Sequence, residues 1–323
     1  MTATAERPGG LTVWWQGARP RTLGAGLVPV VLGTAAAGEV IWWRFGAALV
    51  VGAGLQIGVN FANDYFDGVR GVDTHERLGP PRLTATGAAS PRAVLVAALV
   101  ALGVAAVAGL ALALATEPLL ILFVGALALV AAVLYSGGPR PYAGLGLGEL
   151  MVFVFFGLMA TCGTTFVMVE TVTAEAWWGG ATLGFLAVAI LVANNLRDIP
   201  TDEASGKHTL AVRIGDRATR RLYRIVVVAA FATIAIGVIV GIAIDGAGLP
   251  QWALAGLIAW VLAIRPMDVV GSATGRDLIP VLTGTAATHA ACGLLTALGL
   301  VLATIDQSSG DVVPAAVAAW GGI

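Results

Sequence analysis

Nine stretches of this chain are each apolar for roughly the 20 residues that a helix needs to cross the hydrocarbon of a bilayer. They lie near 22–40, 45–66, 92–114, 117–136, 146–169, 176–197, 221–244, 248–269 and 278–304. A backbone in lipid must satisfy every N–H and C=O internally, which leaves helices and closed barrels. Barrel strands are short and alternate in polarity, whereas these stretches are long and continuously apolar. The expected fold is therefore an all-α polytopic membrane protein, a bundle of nine transmembrane helices. Composition agrees: 58% of residues are hydrophobic, only 11% are charged and the mean hydropathy is +0.89, too little charge to cover a water-soluble globule of 323 residues. With 18 basic against 19 acidic side chains the net charge is −1, so no cationic surplus exists to hold a nucleic acid.

Basic residues set the expected orientation. If nine spans alternate, every Lys and Arg except Arg44 falls on one side, in the connections around Arg19, Arg70, Arg140, Arg217 and Arg265. The positive-inside rule makes that side cytoplasmic, with the N-terminus inside and the C-terminus outside. Residues 1–21 read as an interfacial lead-in carrying Trp14, Trp15, Arg19 and Arg21 rather than a cleavable signal peptide, and 305–323 as a short C-terminal tail. The whole of 1–323 is expected to be one membrane domain. Cys162 and Cys292 sit inside apolar runs and read as small buried hydrophobes.

Two connections, 67–91 and 198–220, are long, polar and on the cytoplasmic side, and each opens on asparagine followed by spaced aspartates. The first runs Asn60, Phe61, Ala62, Asn63, Asp64, Tyr65, Phe66, Asp67, with Asp73 beyond; the second runs Asn194, Asn195, Leu196, Arg197, Asp198, Ile199, Pro200, Thr201, Asp202. On a helix, Asn60, Asp64 and Asp67 share a face, as do Asn194, Asp198 and Asp202. Like charges so placed repel, and a carboxylate at the centre of a span costs about 2.5–3.5 kcal/mol. Something cationic must neutralise them. Oxygen donors without His or Cys suit a hard ion such as Mg²⁺, which bridges carboxylates to phosphates. Arg70, Arg77 and Arg82 follow the first cluster, and Arg197, Lys207 and Arg213 surround the second. Acids and bases around one space fit a metal-bound polyphosphate. The plain reading of Arg217, Arg220, Arg221 and Arg224 is topogenic charge, that of Glu149 is compensation of a helix N-terminus, that of His75 and His208 is solvation, and that of His289 is an interhelical hydrogen bond.

These motifs resemble the UbiA superfamily of intramembrane aromatic prenyltransferases, and within it the branch acting on 1,4-dihydroxy-2-naphthoate. The resemblance rests on Ala18 to Leu23, on Asn60 to Asp73, on Gly79 to Leu83, on Tyr135 to Tyr142, on Gly148 and Glu149, and on NNLRDIPTDEASGKHTLAVRIG from Asn194. It implies helices around a central cavity in the cell membrane, with its mouth on the cytoplasmic side. It implies that Asp64, Asp67, Asp198 and Asp202 hold Mg²⁺ on the diphosphate, helped by Asn60, Asn63 and Asn194. Lys207, Arg70 and Arg140 would contact the phosphates or the acceptor carboxylate, while Arg21 and Tyr135 would line the cavity. The implied substrates are a polyprenyl diphosphate and 1,4-dihydroxy-2-naphthoate, and the products are demethylmenaquinol, CO₂ and pyrophosphate, with 4-hydroxybenzoate or homogentisate as alternative acceptors.

Two rivals are weighed against this. Asp64 to Gly68 reproduces the opening of the CDP-alcohol phosphotransferase signature, but Gly71 and Val72 stand where that signature has Ala-Arg. An ion-coupled secondary transporter also carries membrane acids in paired halves; here the acids sit at one face of the bilayer rather than at its midplane.

Overall fold

A computed structural model describes residues 10–71, 82–139 and 141–320, apart from the side chains of Arg21 and of 308–320. The described residues form helices and turns without a strand. A short helix, α1 (Leu11–Ala18), leads into α2 (Pro20–Ala36), and α3 (Trp42–Val69), α4 (Pro91–Leu114) and α5 (Pro118–Leu134) follow. Then come α6 (Gly148–Val169), α7 (Ala174–Ala204), α8 (Leu210–Ala243), α9 (Gln251–Val269) and α10 (Ile279–Trp320).

Local chemistry sets the starts. Pro20, Pro91 and Pro118 each occupy the first turn of a helix, where the missing N–H costs nothing. Ser90, Thr173 and Thr209 cap α4, α7 and α8 by accepting the N–H of Ala93, Ala176 and Val212. Two helices are interrupted. In α8, Gly215 has φ 77° and ψ 169°, a left-handed break that only glycine adopts cheaply. In α6, Phe153–Met159 widens into a π turn, and Gly157 lies so close to α7 that a Cβ would stand 2.4 Å from the Gly184 Cα.

Outward-facing side chains make an apolar belt, including Val107 on α4, Phe123 on α5 and Ile242 on α8 at 70%, 69% and 75% exposure. In water such surface would drive aggregation; against lipid tails it costs nothing. Inside, α2 and α7–α10 share one buried cluster, and α1, α3 and α4 share a second around Phe61, Leu83 and Val94. At the end opposite the acidic motifs, Arg44 donates to the carbonyls of Val167 (2.8 Å), Met168 (3.3 Å) and Ala115 (2.8 Å), and lies 3.8 Å from Glu170. That one guanidinium ties the ends of α4 and α6 to the start of α3.

The expected all-α membrane bundle is present, with differences. Among the described residues seven helices are long and apolar enough to span a bilayer, not nine; the helices at the other two expected positions, Thr22–Ala36 and Pro118–Leu134, are apolar but shorter. The stretch 198–220, expected as a loop, is mostly helical: α7 continues to Ala204 and α8 begins at Leu210. Its polar residues lie on helix ends that leave the apolar zone, so apolar length alone did not show them. Likewise the last helix continues past 304 to Trp320.

Replacing Gly157 with valine would force α6 off α7. The expected outcome is a loss of about 1–3 kcal/mol, read as a lower unfolding temperature of the purified protein in detergent, whereas Gly163→Ala, where a Cβ meets nothing within 4 Å, should leave it unchanged.

Candidate active site

Asn60, Asn63, Asp64 and Asp67 occupy the last turns of α3, and all four are buried. At 100° per residue Asp64 and Asp67 point about 60° apart, and they do different things. The Asp64 carboxylate accepts the backbone N–H of Leu83 (2.7 Å) and of Thr84 (2.9 Å), pinning the chain just before α4. It is not part of the cavity lining. Asp67 faces the interior, 3.5 Å from the Arg82 guanidinium and 3.8 Å from Lys207 Nζ. Asn63 accepts a hydrogen bond from the Ser136 hydroxyl at 2.6 Å. Asn60 donates to the carbonyl of Ala18 (3.0 Å) and, with Gln56, to the Thr22 hydroxyl, which fixes the corner between α1 and α2.

The second motif rides on the end of α7. Arg197 grips Asp198 through two bonds of 2.7 and 2.8 Å and donates to Asn194 at 2.8 Å. Asn195 donates to Glu149 at 3.0 Å, so that buried acid is engaged by α7 rather than only by its own helix start. Beyond Ala204 the chain reverses at Gly206 (φ 73°), and Lys207 N–H closes the turn on the Asp202 carbonyl at 2.8 Å. This reversal is what carries Lys207 Nζ to Asp67. A lysine that belongs to the second motif thus touches the first.

Between the motifs lies a cavity of about 540 Å³ with contributions from α2 to α7. Asn60, Asn63, Asp67, Asn194, Asp198, Asp202 and Lys207 line its polar end, together with Tyr135. Its far end is lined by Val30, Ala48, Leu112 and Val167, members of one buried apolar cluster. Tyr135 meets Tyr142 edge to face at 5.4 Å, and the Tyr142 hydroxyl donates to the Ala131 carbonyl at 2.8 Å. Burial pushes the Tyr142 phenol well above its ordinary range, so it stays protonated.

Other expected residues are elsewhere. Arg70 donates to the carbonyls of Ser136 (2.6 Å) and Gly138 and stacks over Phe66, holding the turn after α5. Arg140, Asp73, His75 and Arg77 lie outside the described residues, as does the side chain of Arg21. His289 is buried in α10 and does not line the cavity. Sequence reasoning gave no site role to Arg19, Thr22, Gln56, Tyr142 or Asn195, all of which line the cavity. Arg19 had a signal in its place beside Pro20 at a helix start; its backbone is left-handed (φ 55°), uncommon for a non-glycine residue.

The donor set is one of oxygens: carboxylates of Asp67, Asp198 and Asp202 and amides of Asn63 and Asn194. Among the described residues no three acids, His or Cys converge closely enough to hold an ion by themselves. An ion such as Mg²⁺ held here would need waters and substrate phosphates to complete its shell.

Residues 26–269 match the model of the UbiA prenyltransferase family. A 1,4-dihydroxy-2-naphthoate octaprenyltransferase of Mycobacterium leprae is 47% identical over 298 residues, covering 90% of this chain and 96% of that protein. Among solved structures, a UbiA homolog from Aeropyrum pernix K1 superposes with a TM-score of 0.65 at 15% identity, over 86% of this chain and 97% of that one. A UbiA homolog from Archaeoglobus fulgidus bound to GPP and Mg²⁺ gives 0.58 at 15% identity, over 88% and 99%. At such identities these two speak for the fold.

Asp64→Ala removes the acceptor for two buried backbone N–H groups. It should cost about 1.5–3 kcal/mol for each charge-assisted bond, and limited proteolysis should cut the segment between α3 and α4 faster than in the parent protein; an unchanged cleavage rate would refute the pinning role.

Proposed function

This chain belongs to the UbiA prenyltransferase family, and from that premise we propose that it transfers a polyprenyl group from polyprenyl diphosphate to 1,4-dihydroxy-2-naphthoate. CO₂ and pyrophosphate leave, and demethylmenaquinol forms. The match to the Mycobacterium leprae octaprenyltransferase over nearly the full length of both chains supports the acceptor. One structural observation carries the reading: a single cavity joins a mouth of acids, amides and bases to an apolar interior. The charged head of an allylic diphosphate fits the mouth, and its hydrocarbon tail fits the rest.

In this reading Asp67, Asp198 and Asp202 hold Mg²⁺, with Asn63 and Asn194 beside them. The ion, when bound, supplies positive charge to the diphosphate, and its naming with the Archaeoglobus homolog supports its choice. Lys207 and Arg82 take phosphate oxygens. They are already aimed at that position by Asp67, and cations fixed in advance stabilise a departing pyrophosphate without reorganising. The paired rings of Tyr135 and Tyr142 line the cavity within reach of an allylic cation, which their faces stabilise without adding to it. The acceptor ring attacks through the carbon bearing its carboxylate; that carboxylate departs as CO₂, its bonding electrons restoring the ring. No nucleophilic side chain takes part. Asp64, Asn60 and Arg70 serve by holding the segments that frame the mouth.

The short helices Thr22–Ala36 and Pro118–Leu134 complete nine crossings in this reading, with the mouth on the cytoplasmic side of the cell membrane and 1–323 as one domain. Arg44 as the sole base on the outer side supports that orientation.

Purified protein supplied with Mg²⁺, a polyprenyl diphosphate and a mixture of dihydroxynaphthoate and 4-hydroxybenzoate should consume the naphthoate, with the prenylated, decarboxylated product identified by mass. Chelation with EDTA should stop turnover, and Asp67→Ala or Asp198→Ala should lower it by at least about 100-fold, a loss of roughly 2.7 kcal/mol of barrier stabilisation. Prenylation of 4-hydroxybenzoate instead would overturn the acceptor assignment.

A further inference from the structure

After its break at Gly215, α8 runs on to Ala243 and presents one side to lipid. Ile225 and Val228, in the turns that follow its arginines, are 56% and 47% exposed. At 100° per residue Ile225 lies about 40° from Arg221, and Val228 about 20° from both Arg217 and Arg221; both arginines are also exposed. The lipid-facing side of this helix thus changes from aliphatic to arginine over its first turns, at the depth where headgroups replace hydrocarbon.

Four arginines crowd these turns, and the structure divides their work. Arg220 is gripped by Asp216 at 2.6 and 2.7 Å and donates to the Val270 carbonyl. Arg224 donates to the Met267 carbonyl at 3.3 Å. Both fasten α8 to the end of α9. Arg217 and Arg221 make no hydrogen bond or ion pair among the described residues. They stand one turn apart, about 6 Å along the axis. The neighbouring acid Asp216 is taken by Arg220, and among the described residues Asp268 on α9 makes no ion pair with either arginine. Topogenic charge explains why bases lie on this side of the membrane, but it sets no azimuth. Their alignment with the lipid-facing aliphatic row is the feature that calls for an occupant.

We propose that Arg217 and Arg221 bind the phosphate of an anionic phospholipid whose acyl chains start down the helix along Ile225 and Val228. A zwitterionic headgroup brings its own ammonium to two guanidiniums, and a free phosphate brings no chains for the aliphatic row. The site lies outside the cavity, since α8 contributes nothing to its lining. It adds to the prenyl-transfer reading without depending on it. The segment it anchors begins at Leu210, three residues after Lys207, so the bound lipid holds the helix that follows the phosphate-facing lysine.

The experiment is native mass spectrometry of protein released from nanodiscs of phosphatidylcholine mixed with phosphatidylglycerol. The parent protein should retain phosphatidylglycerol in preference to phosphatidylcholine. Arg217→Gln and Arg221→Gln should each weaken retention about fivefold, and the double variant on the order of 25-fold, at roughly 1 kcal/mol per basic residue near the surface. Arg92→Gln, an exposed base at the start of α4, should change nothing, and the Arg217→Lys/Arg221→Lys pair, which keeps both charges should the glutamine pair fail to fold, should retain most of the preference. Equal retention of the two lipids by the parent protein, undiminished retention by the single glutamine variants, or an equal loss in Arg92→Gln would overturn the proposal.

Discussion

Carboxylates buried at the ends of apolar helices have to be answered by something, and in this protein each answer builds part of the site. Isolated charges in such surroundings are too costly to leave alone. Asp64 is met by two backbone N–H groups, Asp67 by Arg82 and Lys207, and Asp198 by Arg197. The first answer orders the chain leading into α4. The second joins the end of α3 to the turn after α7. The third makes a rigid patch on α7, with Asn194 drawn in by the same guanidinium. Repulsion between acids is thereby converted into attachments, one of which, Asp67 to Lys207, joins segments far apart in the chain.

Much of this was legible before any coordinates. Continuous apolarity gave the helical class, because lipid permits few other backbones, and the two asparagine–aspartate patterns led to the two sides of the cavity's polar end. What escaped was direction. Asp64 and Asp67 look equivalent by spacing, yet a difference of about 60° in azimuth sends Asp64 to the backbone at Leu83 and Asp67 to the cavity. Arg70 looked like a phosphate ligand because it follows the motif, but its partners are carbonyls at Ser136 and Gly138, a contact across 66 residues that no local pattern encodes. Span length misled as well. The expected stretches overran the helices Thr22–Ala36 and Pro118–Leu134, taking in 37–40 in the first case and Glu117, Tyr135 and Ser136 in the second, while the polar continuation of α7 beyond its apolar zone made a helix look like a loop.

Close approach is the other ingredient. The π turn of α6 and the glycines at 157, 180 and 184 bring two backbones together where side chains would hold them apart. Association of helices in lipid gains little from hydrophobic burial and depends on such contacts. On the opposite face of α6, Phe155, Phe156 and Met159 are left to wall the cavity. One helix thus spends its small residues on cohesion and its large ones on the chamber.

A wall of Val30, Ala48, Leu112 and Val167, with the Arg44 guanidinium tied to three carbonyls at the same end of the bundle, makes the end of the chamber farthest from the acids aliphatic. That wall offers a charged group nothing, so a molecule with one charged end and one oily end has a single favourable way round inside, charge toward the acids and bases and oil toward the wall.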